Sequence, residues 1–312
     1  MAGFALCILA ISVFLSLFAE NSWVTDLFTH FQFQYVAGGI ILGIWFGALK
    51  KWPPMFLALF LCLFSSYKIY ASFEFVSQNS ATNAAFKIMH YNRKYEITDH
   101  KNLVRFLSEE KPDVVVLQEA TKSHSDAAKI LIKTYPYQIH EPRVNAFGMV
   151  VLSKYPFKEY RVKNFERIAL DNIQMRFVFE PQEGHEVVVY ALHPPPPTSA
   201  ALRNQRNMEL DLTTKDIKRD TEENIIMLGD WNITPFSPVF KSVLDAAELK
   251  QQHTEFPAFP TWPSPFSIPF LQIPIDHILH KGRLQLLEKK RGPAMGSDHY
   301  PVIATFAISA HD

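Results

Sequence analysis

The stretch IIMLGDWNITPFSP, residues 225–238, runs from an apolar segment directly into Gly229-Asp230-Trp231-Asn232. A segment that reads as a buried strand ends on a carboxylate, a large aromatic ring and a carboxamide. The habit recurs along the chain. KIMHYN ends on Asn92, VVVLQE on Glu119 and VVVYALH on His193. IPIDHIL carries Asp276 near a strand start, and GSDHYP puts Asp298 and His299 just before the last apolar run. Any one of these alone reads as a turn former or a helix cap. Their repetition beside strand after strand points to one shared site. The inventory suits hard-cation phosphoryl chemistry. Carboxylate and amide oxygens suit Mg²⁺ or Mn²⁺, and Mg²⁺ takes only one or two carboxylates while keeping its waters. Imidazoles transfer protons near neutral pH. A phosphoester hydrolase needs a cation against the phosphate oxygens, a base for water and donors for developing charge.

The elements that must position these residues are legible as short apolar runs alternating with helical patterns. AFKIMHY (85–91) predicts a strand, TDHKNLVRFLSEEKPD (98–113) a helix capped by Asp99, and VVVLQEA (114–120) a buried strand. HSDAAKILIKTY (124–135) predicts a second helix. Strands follow at FGMVVLS (147–153), IQMRFVFE (173–180) and EVVVYALH (186–193). Then come a helix around Ala201–Lys218, a strand at Ile225–Leu228, and strands IDHILH (275–280) and PVIATFAI (301–308). There is no internal repeat. Helices mixed with largely consecutive strands predict an α/β or α+β layered domain.

The first eighty residues differ in kind. They hold only Lys50, Lys51 and Lys68 against Glu20, Asp26 and Glu74, and the whole chain balances 31 basic against 31 acidic side chains. The remainder is therefore neutral too, and lacks the basic footprint of a protein that relies on phosphate-backbone attraction. Cys7 and Cys62 both sit in apolar runs, so no disulfide framework or thiolate metal site is available beyond them. Three apolar stretches, about Phe4–Ala19, Phe31–Leu49 and Met55–Tyr67, predict about three transmembrane helices in an anchor over residues 1–74. The third needs Lys68 to snorkel. The alternative is a signal peptide with a buried hairpin, although the first run lacks a basic n-region. Lys50-Lys51 mark their loop as cytoplasmic, which puts the C-terminal domain outside the cytoplasm. Gly39, Gly43 and Gly47 share one helical face suited to close packing, against a neighbouring span or a second chain. Residues 75–85 read as a linker and 86–312 as the catalytic domain.

The order LQE, GDWN…P, IDHI, SDH, with GMVVLSKYP and TWP…IDHI around them, resembles the endonuclease/exonuclease/phosphatase (DNase I-like) superfamily. The resemblance covers about Phe86 to Ile308. It implies a four-layer α/β sandwich, two packed mixed β-sheets flanked by helices, with the site at one end. It implies that Asn92 and Glu119 lie on the metal side, with Glu119 the main ligand and Asp298 in support. It implies that Asp230 positions or activates the nucleophile and that Asn232 donates to phosphate oxygen. His299, oriented by Asp276, would be a general base or a phosphate contact. His193 would protonate the leaving group or hold the phosphate. Trp231 would pack beneath. Arg143, Arg203 and Arg206 are candidates to clamp an anionic substrate, or else lie on a solvated face. His277 reads as structural, because strand alternation turns it away from Asp276. His90, His124, His140, His185, His253 and His280 match no motif.

One departure bears on substrate. Pro194-Pro195-Pro196-Pro197 follows His193, an extended rigid wall without backbone donors that does not suit a duplex-binding nuclease. With its apolar leader, the chain is similar to the bacterial membrane-bound subgroup that includes vancomycin/teicoplanin-resistance proteins, associated with hydrolysis of phosphorylated prenyl lipids. The expectation is a Mg²⁺- or Mn²⁺-dependent phosphoesterase, an integral membrane protein with its domain outside the cytoplasm, acting on a lipid phosphate or pyrophosphate. The competing readings are a membrane-anchored nuclease and a non-catalytic membrane scaffold that retains the fold.

Overall fold

The structure is a computed structural model that describes residues 1–76, 85–165, 172–254, 260–264 and 271–309. The N-terminal region contains helices α1 (Ala2–Leu15), α2 (Trp23–Thr29), α3 (Gln32–Ala48) and α4 (Trp52–Ala71). Strand β1 (Glu74–Phe75) follows, and residues 77–84 of the expected linker lie outside the described residues. The C-terminal domain then runs β2 (Ala85–Asn92), α5 (Lys101–Glu110), β3 (Val114–Gln118), α6 (Lys122–Lys129), β4 (Tyr137–Glu141), β5 (Met149–Ser153) and β6 (Phe157–Asn164). It continues through β7 (Ile173–Gln182), β8 (His185–Leu192), α7 (Ala200–Arg219), β9 (Ile225–Asp230), α8 (Pro238–Ala247), β10 (Gln252–His253), β11 (Asp276–Lys281), β12 (Leu284–Arg291) and β13 (Val302–Ile308).

Two mixed sheets face each other. One has the order β12-β13-β2-β3-β5-β4 and the other β11-β9-β8-β7-β6. Their strands read as unbroken apolar runs because both faces are covered. In β2, Phe86 and Ile88 point into the core between the sheets while Met89 and Tyr91 point out against α5. In β9, Ile226 and Leu228 point inward while Ile225 and Met227 pack under α7 and α8. The result is α5/α6, sheet, sheet, α7/α8. Each sheet contains one parallel pair joined by a helix, β2-α5-β3 and β8-α7-β9. The carboxyl ends of the four parallel strands carry Asn92, Glu119, His193 and Asp230, which is the edge where ligand sites form in such units.

The N-terminal region corrects the expectation of three spans. Among the described residues α4 alone qualifies by length and composition, or up to two spans if α1 with its 3-10 extension and α2, bent by 113°, count as one. Helix α1 has 14 residues and α3 has 17, about 21 Å and 26 Å of rise, against a hydrocarbon core of about 30 Å. The sequence placed all the apolar residues of each run on one helix, whereas the chain turns at Ser16–Phe18 and again before Gln32. The glycine face is spent within the chain. A Cβ on Gly39 would lie 2.7 Å from Cys62 Cβ, and one on Gly43 would lie 3.1 Å from Leu59, so α3 packs closely on α4 there. The neighbour of that face within the chain is α4.

Candidate active site

Asp230 is the hub. Its Oδ2 accepts from Asn92 Nδ2 at 3.0 Å and lies 3.4 Å from His193 Nε2 and 3.5 Å from His299 Nε2. Its Oδ1 accepts the Asn232 backbone N–H at 3.0 Å. The same Asn92 amide donates to Glu119 Oε1 at 2.9 Å. His299 Nδ1 bonds Asp276 Oδ2 at 2.9 Å, and the other oxygen of Asp276 faces His90 Nε2 at 2.9 Å. Pairing places Asp276 directly opposite Asp230 across the β11–β9 ladder, while β13 runs antiparallel to β2 and brings the loop carrying His299 back over Asn92. Ser297 fixes that loop by donating to the Asn92 carbonyl at 2.8 Å and accepting the His299 N–H.

The two sheets are joined beneath the hub. Gln118 Nε2 donates to the Leu192 carbonyl at 2.8 Å, and Gln118 Oε1 accepts the Asp230 N–H at 2.9 Å. Gly229 makes room for this bridge. Its φ is +145°, and a Cβ there would lie 2.0 Å from the Leu192 oxygen. Glu119 (φ +57°) and Asn232 (φ +51°) are left-handed without being glycine, strain of the kind that concentrates at functional sites. Trp231 is fully buried against Phe240 and His277.

The charges follow from burial set against neighbours. Burial alone would lower His193 and His299, but the carboxylates facing them win. Asp230, with help from Glu119, raises His193 to about 9, and Asp276 and Asp230 raise His299 to about 10. Burial would raise Asp230, but the two imidazolium groups hold it well below the usual carboxylate range. Burial and the Asp230 charge push Asp276 up, while His299 pulls it down; we take Asp276 and His299 as a pair sharing a proton held on the imidazole. Burial lowers His90 to about 3, so it is neutral and donates from Nε2. The Ala146 carbonyl accepts from His193 Nδ1 at 3.0 Å, which turns Nε2 toward Asp230. The site is an anion between two cationic donors.

Residues 91–299 match the Endonuclease/Exonuclease/phosphatase family. The chain belongs to that family. No curated protein matches it. Among solved structures it is similar to D. rerio TDP2 complexed with a single-strand DNA product, at 17% identity and TM-score 0.61, covering 72% of this chain and 100% of that one. It is similar to the endonuclease/exonuclease/phosphatase from Beutenbergia cavernae, at 21% identity and TM-score 0.59, covering 72% of each chain. It is also similar to sphingomyelinase C from Streptomyces griseocarneus, at 20% identity and TM-score 0.53, covering 71% of this chain and 99% of that one.

Within this endonuclease/exonuclease/phosphatase fold the structure gathers Asn92, Glu119, His193, Asp230, Asp276 and His299 into one bonded network. Asn232 adjoins it, with Nδ2 donating to the Pro194 carbonyl at 3.0 Å. Asp298 lies at the exposed edge, 3.9 Å from Lys94 Nζ. Arg143 reaches the rim through its N–H, which donates to the Ala120 carbonyl, and its guanidinium lies 3.3 Å from Glu141. Arg203 is not brought to the network: it bonds the carbonyls of Ala19 and Glu20. Arg206 is fully buried on Asp26. Neither lies on a solvated face clamping an anion, because both hold the N-terminal region. His277 Nε2 donates to the Ile233 carbonyl at 2.8 Å, a structural role. His90 is the residue that sequence reasoning missed. The available signal was parity, since His90 and Asn92 share the inward face of β2 with Ile88.

Asp230, Asp276 and His299 present ligand atoms within 4.8 Å of one another, close enough for an ion. Both Asp276 oxygens already face imidazole nitrogens, so an ion there would displace a held proton. Glu119 fits a cation better. It offers a carboxylate at the rim, with Asp298 at the edge, hard oxygens that suit Mg²⁺ or Mn²⁺; Asn92 turns its amide nitrogen to Glu119 and its oxygen to the Lys94 N–H, so it would have to flip to join them.

Proposed function

We propose that the protein is a membrane-tethered, divalent-cation-dependent phosphoesterase acting on a lipid phosphate or pyrophosphate. The observation that carries the chemistry is the Asp230 anion flanked by His193 and His299 at 3.4 and 3.5 Å. Asp230 orients the attacking water and, once the bound phosphate draws the two imidazolium groups away from it, takes the water's proton as the oxygen bonds to phosphorus. His299, Asn232 and His193 hold the phosphate oxygens, and His193 is also placed to donate to the leaving oxygen. Held by Glu119 and Asn92, with Asp298 supporting, Mg²⁺ or Mn²⁺ would neutralise charge on the phosphate. Because His299 carries its proton, its role is that of a phosphate contact rather than the base.

The lipid substrate is supported by the position of the site beside the anchor. Thr29, the last residue of α2, and His30, just after it, bond residues Phe236 and Thr234 of the loop that follows Asn232. Helix α4, the qualifying span, starts beside Lys50-Lys51 and ends at the catalytic domain. This arrangement supports a cytoplasmic Lys50-Lys51 end and a catalytic domain outside. The fold accommodates nucleic-acid substrates as well, so the test compares the two. Full-length protein with Mg²⁺, and His299→Ala as control, is assayed for phosphate release from prenyl pyrophosphate in detergent and for cleavage of single- and double-stranded DNA. Lipid turnover lost in the variant is the expected result. DNA cleavage lost in the variant, without lipid turnover, would make this an anchored nuclease.

A further inference from the structure

The loop after Asp230 is gripped at alternate residues from outside the catalytic sheets. Arg206 Nη1 donates to the Asn232 carbonyl at 3.2 Å. His30 Nδ1 accepts from Thr234, whose Oγ1 lies at 2.9 Å, and Thr29 Oγ1 donates to the Phe236 carbonyl at 3.1 Å. Arg206 itself is held by Asp26 of α2 at 2.7 Å, with both side chains fully buried. Beneath them Phe236 packs with Phe33 and Val36 of α3, Ile69 of α4 and Phe73.

We infer that the Asp26–Arg206 pair and the Thr29–His30 turn are a positioning device, through which the anchor sets the left-handed Asn232 backbone and with it the loop that leaves Asp230. A simple tether would need no such contacts, because the chain already enters the catalytic domain through β1. The buried guanidinium has a specific use here. Its flat fork reaches a carboxylate on one side and a main-chain carbonyl on the other, a geometry that a point charge cannot reproduce. Asparagine enters the left-handed region more readily than most residues, and here contacts on both sides of the Asn232 backbone fix it there. The anchor supplies part of that determination, so catalysis and membrane attachment share one structural element.

The test uses full-length protein in detergent. Truncating one partner would strand a buried charge, so both go together: Asp26→Leu with Arg206→Met, an apolar replacement of a kind that is often neutral for stability. Thr29→Val supplies a milder second variant. Two readouts are taken: kcat and KM with Mg²⁺ on bis(p-nitrophenyl) phosphate, and hydrogen exchange of the amides of residues 231–237. The expected result for the double variant is a kcat lower by about 10²-fold, the scale of a 1 Å misplacement. KM should stay within about twofold, and exchange should rise within 231–237. Thr29→Val should give a smaller fall of the same kind. A folded double variant with wild-type kcat, or with unchanged exchange, overturns the inference. The kcat arm rests on the phosphoesterase reading. If wild-type protein hydrolyses no phosphoester, that reading has failed and exchange alone decides the coupling.

Discussion

Glu209, on α7, gives a quantitative test of the interior behind His193. Its carboxylate accepts from Gln205 Nε2 at 2.8 Å and from Asn172 Nδ2 at 2.9 Å, and that Asn172 amide also reaches the His193 carbonyl at 3.3 Å. Burial raises Glu209 from 4.5 to about 7, against the downward pull of those bonds. Between these values the folded chain keeps a proton that the unfolded chain gives up. The stabilising contribution is therefore complete below about 4.5 and is lost as pH rises to about 7. A shift of that size corresponds to something on the order of 3 kcal/mol. Glu209→Gln keeps an acceptor oxygen for Gln205 and Asn172 and carries no charge at any pH. The variant and wild type should melt close together at pH 5. At pH 8 the variant should melt higher by roughly 6–12 °C, given 2–4 °C per kcal/mol for a chain of this size. Thermal melts in detergent at the two pH values measure it. A Tm difference that does not change between pH 5 and pH 8 would refute the reasoning.

Asp276→Asn removes the charge that orients His299 and leaves the fold's contacts nearly isosteric, so kcat for a phosphodiester should fall about 10³–10⁴-fold, as for loss of the orienting carboxylate in a catalytic triad; a loss below tenfold in steady-state assays would show that His299 does not depend on it. Gly229→Ala forces a Cβ to within 2.0 Å of the Leu192 oxygen at φ +145° and should cost more than about 3 kcal/mol. Gly184→Ala, at φ +75° with open space around it, should cost about 1 kcal/mol; equal urea midpoints for the two would contradict this account of the sheet bridge.

Much of the catalytic domain was legible because its strands are buried on both faces. Runs such as VVVLQ and IIML leave little choice, and the polar residue closing each run marks the edge where the site lies. Strands β6 and β12 were missed for the opposite reason. Phe157–Asn164 is an edge strand with alternating exposure, and Leu284–Arg291 ends in Glu288-Lys289-Lys290-Arg291, so neither presents a continuous apolar run. Helix α8 was missed although Ser237 caps it and Pro238 opens it, a signal overshadowed by the catalytic motif before it. The network around Asp230 was anticipated from strand ends, but His90 was not, because an imidazole inside a strand carries no mark of its partner. Arg203 and Arg206 could not be placed from sequence. Their partners lie 180 and 184 positions earlier along the chain, and only the folded chain brings α2 against α7. The N-terminal helices were misjudged through hydropathy, which counts apolar residues without registering where a helix turns.

The order in which the strands are made has a consequence for biosynthesis. β2 emerges early, yet its neighbour on one side is β13, the last strand of the sheet. On that side the edge of β2 stays open while the rest of the domain is translated, and closing it is a late, long-range event of the kind that slows folding. His299 arrives in the segment just before that strand. A chain that ends anywhere short of it lacks His299 and cannot assemble the charged cluster around Asp230. The cluster thus closes only once β13 has paired with β2, which makes the site a late product of folding.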